Sequence, residues 1–274
     1  MEFLYPQFLP KNSQNNAKIL EFRGFYFVFR YMGYNHLMSE AISVFRRQEK
    51  KYLISEAEKQ AFLEMCGENL TKNKFFSATV MSLYFDTAND DLIIESIERP
   101  RYKKKVRARC YNVPSPTDMV FFEIKSKMRE GKEKRTYKRR IEMTAQDFDA
   151  LEFGKFDNIE QKEKEIFYLV NKLKLMPKTM ICCERQSYEG ADDANLRVTF
   201  DENLRHRHEK LRFFDGIDGK RYFDENNEKN IIMEIKDDKG LPRWLIDALN
   251  SEKIYPQQFS KYGKIYQKER RMNV

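Results

Sequence analysis

The stretch KKKVRARCY, residues 103–111, alternates with a period of two: Lys103, Lys105, Arg107 and Arg109 take every second position. In a β-strand alternate side chains share a face. This stretch therefore reads as a strand with one face of cations and one of small apolar residues, Val106, Ala108 and Cys110. Two cations ~6 Å apart repel by roughly 3 kcal/mol at an effective dielectric of 20. The apolar face needs a core, and the charged face needs water or counter-charge.

The pattern recurs along the chain. RRQEKKYLI places Arg47, Glu49 and Lys51 on one face, and FFEIKSK places Glu123, Lys125 and Lys127. KRTYKRR gives Lys134, Thr136, Lys138 and Arg140, and CCERQ gives Arg185 beside Cys183 and Ser187. LRVTFD gives Arg197, Thr199 and Asp201, and IIMEIKDD gives Ile232, Glu234, Lys236 and Asp238. One such row is ordinary solvated surface, but six or seven form a constellation. Glu-x-Lys occurs at Glu49/Lys51, Glu123/Lys125 and Glu234/Lys236, so the rows are not purely basic. Closing the strands into a barrel with these faces inward would build a tunnel of Lys and Arg with a few carboxylates. Such a lining is unstable when empty and suits a polyphosphate with a divalent metal. Arg and Lys bind phosphate oxygens through charge-assisted hydrogen bonds, and hard Mg²⁺ or Mn²⁺ takes carboxylate and phosphate oxygens.

The elements between the charged strands support an antiparallel sheet. A strand is predicted from Val44 to Ile54, followed by a helix opened by Ser55 and Glu58 as a capping box. Further strands are predicted at ATVMSLYFDT, DMVFFEIKSK, KRTYKRRIEM, KTMICCERQSYEG, NLRVTFD and NIIMEIKDD. REGKE reads as a hairpin turn. Helices are predicted at ANDDLIIESI, from Thr144 through Phe153, from Glu160 to Leu173, at PRWLIDALN with Pro242 in its first turn, and in FSKYGKIYQKER. Residues 202–230 read as a loop. There is no Gly-rich phosphate loop, which disfavours a Rossmann or P-loop site.

The chain has 274 residues, with 51 Lys+Arg against 43 Asp+Glu and a net charge of +8. That balance favours an anionic partner. Carboxylates interleaved on the same faces argue against a nucleic-acid backbone track. Cys66, Cys110, Cys182 and Cys183 lack metal-ligand spacing and read as reduced, buried thiols of a cytoplasmic protein. The longest apolar run near the start, FYFVF, is too short to span a bilayer. His36, His206 and His208 lie outside the predicted strands and read as loop residues; no nucleotide-base site stands out, and Tyr84 and Phe85 fit the core as well as they fit base recognition. Residues 1–38 read as a poorly ordered, dispensable extension, and 39–274 as the tunnel domain.

RRQEKKYLI, SLYFDT, KVRARCY, FFEIKSK, YKRRI, ERQSYEG, LRVTFDENL, IMEIKDDKGLPRWL and FSKYG, in this order from about residue 44 to 264, resemble the VTC-domain polyphosphate polymerases, a branch of the triphosphate tunnel metalloenzymes. The resemblance implies an α+β fold, an antiparallel eight-stranded tunnel with helices packed outside. It implies transfer of the γ-phosphate of ATP to inorganic polyphosphate with a divalent metal, Mn²⁺ or Mg²⁺. It assigns phosphate-binding, catalytic roles to Lys51, Arg107, Arg109, Lys125, Lys138, Arg185, Arg197 and Lys261. Lys105, Arg140, Lys236 and Ser260 fall beside them as substrate-binding residues. Glu234 matches the metal-binding glutamate, with Glu49 and Glu123 as helpers. Arg47 departs from the wider superfamily's ExExK pattern, which would put a glutamate there; that agrees with the polymerase branch. The alternatives are a metal-dependent polyphosphatase on the same fold, and a non-catalytic module binding polyphosphate or inositol pyrophosphate. The sequence identifies no membrane-protein partner.

Overall fold

The structure, a computed structural model, describes residues 19–22, 25–28, 48–98, 101–130, 133–151 and 161–272. The chain divides into two units, 1–41 and 42–274. In the first, β1 (Ile19–Phe22) and β2 (Phe25–Val28) form an antiparallel hairpin with Ile19 opposite Val28. The sequence reading found no period in this aromatic patch.

The second unit is built on one antiparallel sheet. Its strands are β3 (Gln48–Ile54), β4 (Leu70–Asp86), β5 (Tyr102–Tyr111), β6 (Met119–Glu130), β7 (Glu133–Thr144), β8 (Met176–Gly190), β9 (Arg197–Arg207), β10 (Lys220–Arg221) and β11 (Ile231–Asp237). They are ordered β3-β11-β9-β8-β4-β5-β6-β7, with β10 paired to β9. The expected barrel is not closed by hydrogen bonds: among the described residues the edge strands β3 and β7 do not pair with each other. An ion pair brings the two ends of the sheet together instead, with Lys125 Nζ on β6 lying 3.2 Å from Glu49 Oε2 on β3.

Helices cover the convex face. The outward residues of β4–β8, among them Leu83, Phe85, Val106, Ala108, Phe122, Ile124 and Met180, pack against α3 (Ala145–Asp149) and α4 (Gln161–Lys172). The outward residues of β3, β9 and β11 pack against α1 (Glu56–Cys66) and α5 (Arg243–Ser251). A third apolar cluster lies on the concave side. There Val80, Tyr84, Ile181, Leu204 and Ile232 meet Ile93 of α2 (Asp91–Glu98) and Tyr262 and Ile265 of α6 (Lys261–Met272). All four cysteines are free and buried. Among the described residues no helix is long and apolar enough to cross a membrane.

The ends of the elements follow local chemistry. Ser55 Oγ accepts the Glu58 N–H at 3.1 Å and Glu58 Oε2 accepts the Ser55 N–H at 2.7 Å, the expected capping box. Asp86, at the end of β4, accepts the N–H groups of Leu92 and Ile93 at 2.8 and 3.0 Å, satisfying the first turn of α2. Tyr262 O–H donates to the same buried carboxylate at 3.2 Å, tying α6 to the strand. Pro242 is the N-cap of α5 and lies just outside it.

Two strands are longer than the alternation indicated. β4 begins at Leu70, eight residues before the predicted start, because a register shift between Lys72 and Ser77 breaks its period. β9 runs on from Asp201 to Arg207, through residues read as loop; its register against β8 shifts between Cys182 and Glu184, and Asn203 takes φ 48°. Asn tolerates that left-handed conformation. α3 stops at Asp149, short of the predicted Phe153, and residues 152–160 lie outside the described residues, as do the REGKE turn tip and Val44–Arg47.

Phe122 is fully buried with ring centroids 5.1, 5.7 and 6.0 Å from Phe85, Phe148 and Phe167. Phe122→Ala is expected to lower unfolding stability by about 3–5 kcal/mol, read from urea denaturation. A loss under about 1 kcal/mol would mean the outer core tolerates a cavity there.

Candidate functional site

Antiparallel pairing turns the period-two rows into layers across the concave face. Arg107 on β5, Glu123 on β6 and Arg140 on β7 are successive register partners. One layer along stand Lys105, Lys125 and Lys138, three lysines abreast. On the other half of the sheet, Lys51 on β3 pairs with Glu234 on β11, which pairs with Thr199 on β9. Asp201 on β9 lies opposite Arg185 on β8. Like charges directly opposite destabilise a sheet, so this face stands only where carboxylates separate the cations.

Four carboxylates do so. Glu123 is buried and takes two forks: Arg107 donates to Oε2 at 3.0 and 2.8 Å, Arg140 to Oε1 at 3.0 and 2.7 Å. Burial would raise its pKa, but Arg107, Arg109 and Arg140 hold it at about 2. Asp201 is fully buried; Arg185 grips it at 2.6 and 2.7 Å and Lys261 donates to Oδ2. Burial opposes its ionisation, and these two cations overcome it and hold the carboxyl well below its usual range. Glu234 takes Lys236 on one oxygen and Lys51 at 3.1 Å on the other. Glu49 lies 3.2 Å from Lys125 and 3.6 Å from Lys51. Burial and Glu234 would raise Glu49, yet Lys125, Lys51 and Lys236 hold it at about 2.

The cations are not all matched. Arg109 forms no ion pair among the described residues, and its Nε reaches only Ser82 Oγ, at 3.4 Å. Burial, then the neighbouring Arg107 and Arg185, push its pKa down. Lys105 Nζ donates to Ser260 Oγ at 2.7 Å. Burial, with Lys103 and Lys51 adding to it and Tyr84 opposing, lowers Lys105 to about 8. Lys127 and Lys138 are likewise lowered to about 8, mainly by burial and next by Lys125.

The fold therefore gathers Lys51, Lys105, Arg107, Arg109, Lys125, Lys138, Arg140, Arg185, Lys236, Ser260, Lys261, Glu49, Glu123 and Glu234 on one concave surface. Arg197 shares the row of Thr199 and Asp201 but lies exposed at its end, opposite Lys236. Lys261 arrives from the start of α6, and Ser260 immediately precedes it, so neither comes from a strand. Tyr262 positions them, bonded to Asp86 and stacked on Tyr84 with centroids 4.6 Å apart. Sequence reasoning assigned no role to Asp201, Lys127 or Tyr84. Asp201 and Lys127 were visible as members of alternating rows. Tyr84 looked like core because it is buried, yet it faces inward; burial would raise its phenol, but Arg107, Lys105 and Arg109 lower it to about 8.

These shifts give the empty protein a distinct pH dependence. The unfolded chain keeps its lysine protons to about pH 10.4, while the folded chain begins to lose those of Lys105, Lys127 and Lys138 near pH 8. Between pH 7 and 9 the unfolded state binds more protons, so stability rises with pH; Tyr84 acts in the same direction. From about pH 8, where unfolded thiols begin to ionise, the four buried cysteines, all raised by burial, act oppositely and flatten the rise. The urea midpoint without ligand is expected to rise from pH 7 to pH 9. A fall would mean that the lysines are charge-satisfied.

The VTC domain family model matches residues 46–269. Among solved structures, an adenylyl cyclase candidate from Hippeastrum, described as having a dominant triphosphatase activity, aligns at 15% identity and TM-score 0.47, over 78% of this chain and 92% of that one. An adenylate cyclase candidate from Bacillus halodurans aligns at 13% identity and TM-score 0.43, over 77% and 92%. The PH1819 protein from Pyrococcus horikoshii aligns at 12% identity and TM-score 0.42, over 81% and 99%. The family match spans both halves of the sheet and every residue of the charged concave face, and the chain belongs to the VTC-domain family.

Proposed function

We propose that the concave face binds the triphosphate of ATP together with an inorganic polyphosphate chain and transfers the γ-phosphoryl group to the chain end. One observation carries this reading: Arg109 is a partly buried guanidinium with no carboxylate ion pair among the described residues, flanked by Arg107 and Arg185 and by lysines whose pKa values are lowered to about 8. A half-buried cation crowded by other cations favours an anion, and linked phosphates would supply several in a line.

Phosphoryl transfer asks for positioning and charge stabilisation rather than a covalent residue. Arg107, Arg109 and Arg185 would clamp phosphate oxygens, and Lys105, Lys125 and Lys138 would spread charge along the chain. Arg140 and Lys236 would hold the flanking phosphates. Glu123, with both oxygens committed to arginines, orients Arg107 and Arg140. Asp201 does the same for Arg185 and Lys261. The attacking oxygen of a terminal phosphate is already anionic at neutral pH, so no general base is required. Arg197, exposed at the end of its row, would meet the polymer as it leaves.

A divalent metal fits beside Glu234 and Glu49. The Lys51 ammonium already lies between their oxygens, 3.1 and 3.6 Å away, in the manner of a cation both carboxylates share. When bound there, Mn²⁺ or Mg²⁺ would neutralise phosphate charge and polarise a phosphoryl oxygen.

Incubation of the purified chain with ATP and Mn²⁺ is expected to yield polymer, resolved on a polyphosphate gel, and ADP. Arg109→Ala should abolish the polymer while the melting temperature holds or rises, because a repelling cation has gone. Glu234→Gln should keep the fold at reduced stability, because Lys51 and Lys236 lose their shared charge partner, and should lose metal-dependent turnover. Orthophosphate without polymer would replace transfer to a chain by transfer to water, the hydrolase reading. A large drop in melting temperature for Arg109→Ala would make that residue structural.

A further inference from the structure

Past the Asn203 irregularity, β9 carries His206, and His208 follows just beyond its end. Glu269 of α6 meets both rings. His206 Nε2 lies 2.9 Å from Glu269 Oε1, and His208 Nε2 lies 2.9 Å from each carboxylate oxygen. The three donor groups offer one ligand atom each, all within 4.8 Å of one another. Ligands about 2.0–2.2 Å from a tetrahedral metal stand at comparable separations. This corrects the loop reading of His206, which is a buried strand residue; His36 lies outside the described residues.

The hydrogen bonding points to a cation. His208 Nδ1 lies 3.0 Å from the Lys178 carbonyl oxygen, which can only accept, so Nδ1 carries the proton. In the neutral ring Nε2 then presents a lone pair to a carboxylate, acceptor against acceptor. A second ring proton or a bound metal ion relieves that opposition. The wiring is the one metal-ligating histidines use, with the second ring N–H given to a carbonyl. His206 Nδ1 is buried and has no hydrogen-bond partner among the described residues, so ligation through Nε2 places the ring's one N–H there. The cluster opens to solvent: His208 is 48% exposed, and a cleft of about 420 Å³ adjoins it, lined also by Lys178, Thr179, Tyr262 and Tyr266. A fourth coordination position is thus open to water.

We propose that His206, His208 and Glu269 bind one first-row divalent transition metal ion, of the Zn²⁺ class, which fastens α6 to β9. The mixed imidazole and carboxylate set suits Zn²⁺ and disfavours Mg²⁺, which takes oxygen ligands. Binding through Nε2 moves the one proton of the neutral His206 ring from Nε2 to Nδ1 and frees Glu269 to ligate. The site is separated in sequence from the phosphate-facing carboxylates but mechanically joined to them, because α6 begins with Lys261, the partner of Asp201.

The test uses the full chain with any purification tag removed, stripped with chelator and dialysed against Zn²⁺, Co²⁺ or Mg²⁺. One Zn²⁺ per chain is expected, with a raised melting temperature that Mg²⁺ does not reproduce. The Co²⁺ form should show d–d absorption without a thiolate charge-transfer band. His208→Gln and Glu269→Gln, both at solvent-accessible positions, should each weaken Zn²⁺ binding by roughly tenfold or more, while Glu234→Gln leaves it unchanged. No stoichiometric Zn²⁺ on the parent chain would overturn the proposal and leave a hydrogen-bonded cluster. So would equal affinity in the parent and both variants, or affinity lost on Glu234→Gln alone. None of these readouts depends on ATP turnover.

Discussion

Repulsion between cations on the concave face is the constraint the rest of the structure answers. Three lysines stand abreast at Lys105, Lys125 and Lys138, next to a layer with arginines at both ends. Glu123 divides Arg107 from Arg140, Asp201 divides Arg185 from Lys261, and Glu234 and Glu49 divide the lysines of the other half. Each carboxylate is buried or nearly so, and each ionises because of its partners. Removing one partner of such a buried group typically costs 3–5 kcal/mol, so these acids act as the skeleton of the site. What they leave over, Arg109 above all, is its capacity for anions.

That skeleton needs an outside frame. The convex face is largely apolar at its centre, and helices bury it on both halves of the sheet. The apolar cluster on the concave side fills the space where α6 enters. Through Tyr262, Asp86 links the end of a strand, the first turn of α2 and the start of α6 in one set of hydrogen bonds. The lysine that neutralises Asp201 is therefore set by a helix dock as well as by strand register.

The charged strands were legible because β-pleating converts a two-residue sequence period directly into a face, and Lys103 to Arg109 shows that period without a break. The same logic hid what bulges interrupt. The first eight residues of β4 and the last six of β9 contain register shifts, so alternation no longer reports their faces. His206 was lost for that reason. Closure of the barrel was also misjudged: inward-facing charge does not require β3 and β7 to pair, since Glu49 and Lys125 join the two ends by side chains. Tyr84 was ambiguous because an inward residue beside an apolar plug is buried like any core residue. Roles were less legible than positions. Alternation put Glu123 and Glu234 in equivalent rows, and only the geometry shows one locked by two arginines and the other sharing lysines.

Thermal unfolding with inorganic tripolyphosphate tests the central claim most directly, because it asks whether the unmatched cations hold linked phosphates and nothing else. At a hundredfold excess over Kd, linkage adds about 2.7 kcal/mol, a rise of roughly 5–10 °C for a domain of this size. The account predicts such a rise, larger for tripolyphosphate than for orthophosphate and shrinking as salt screens the ionic contacts. An unchanged melting temperature at millimolar tripolyphosphate would contradict it.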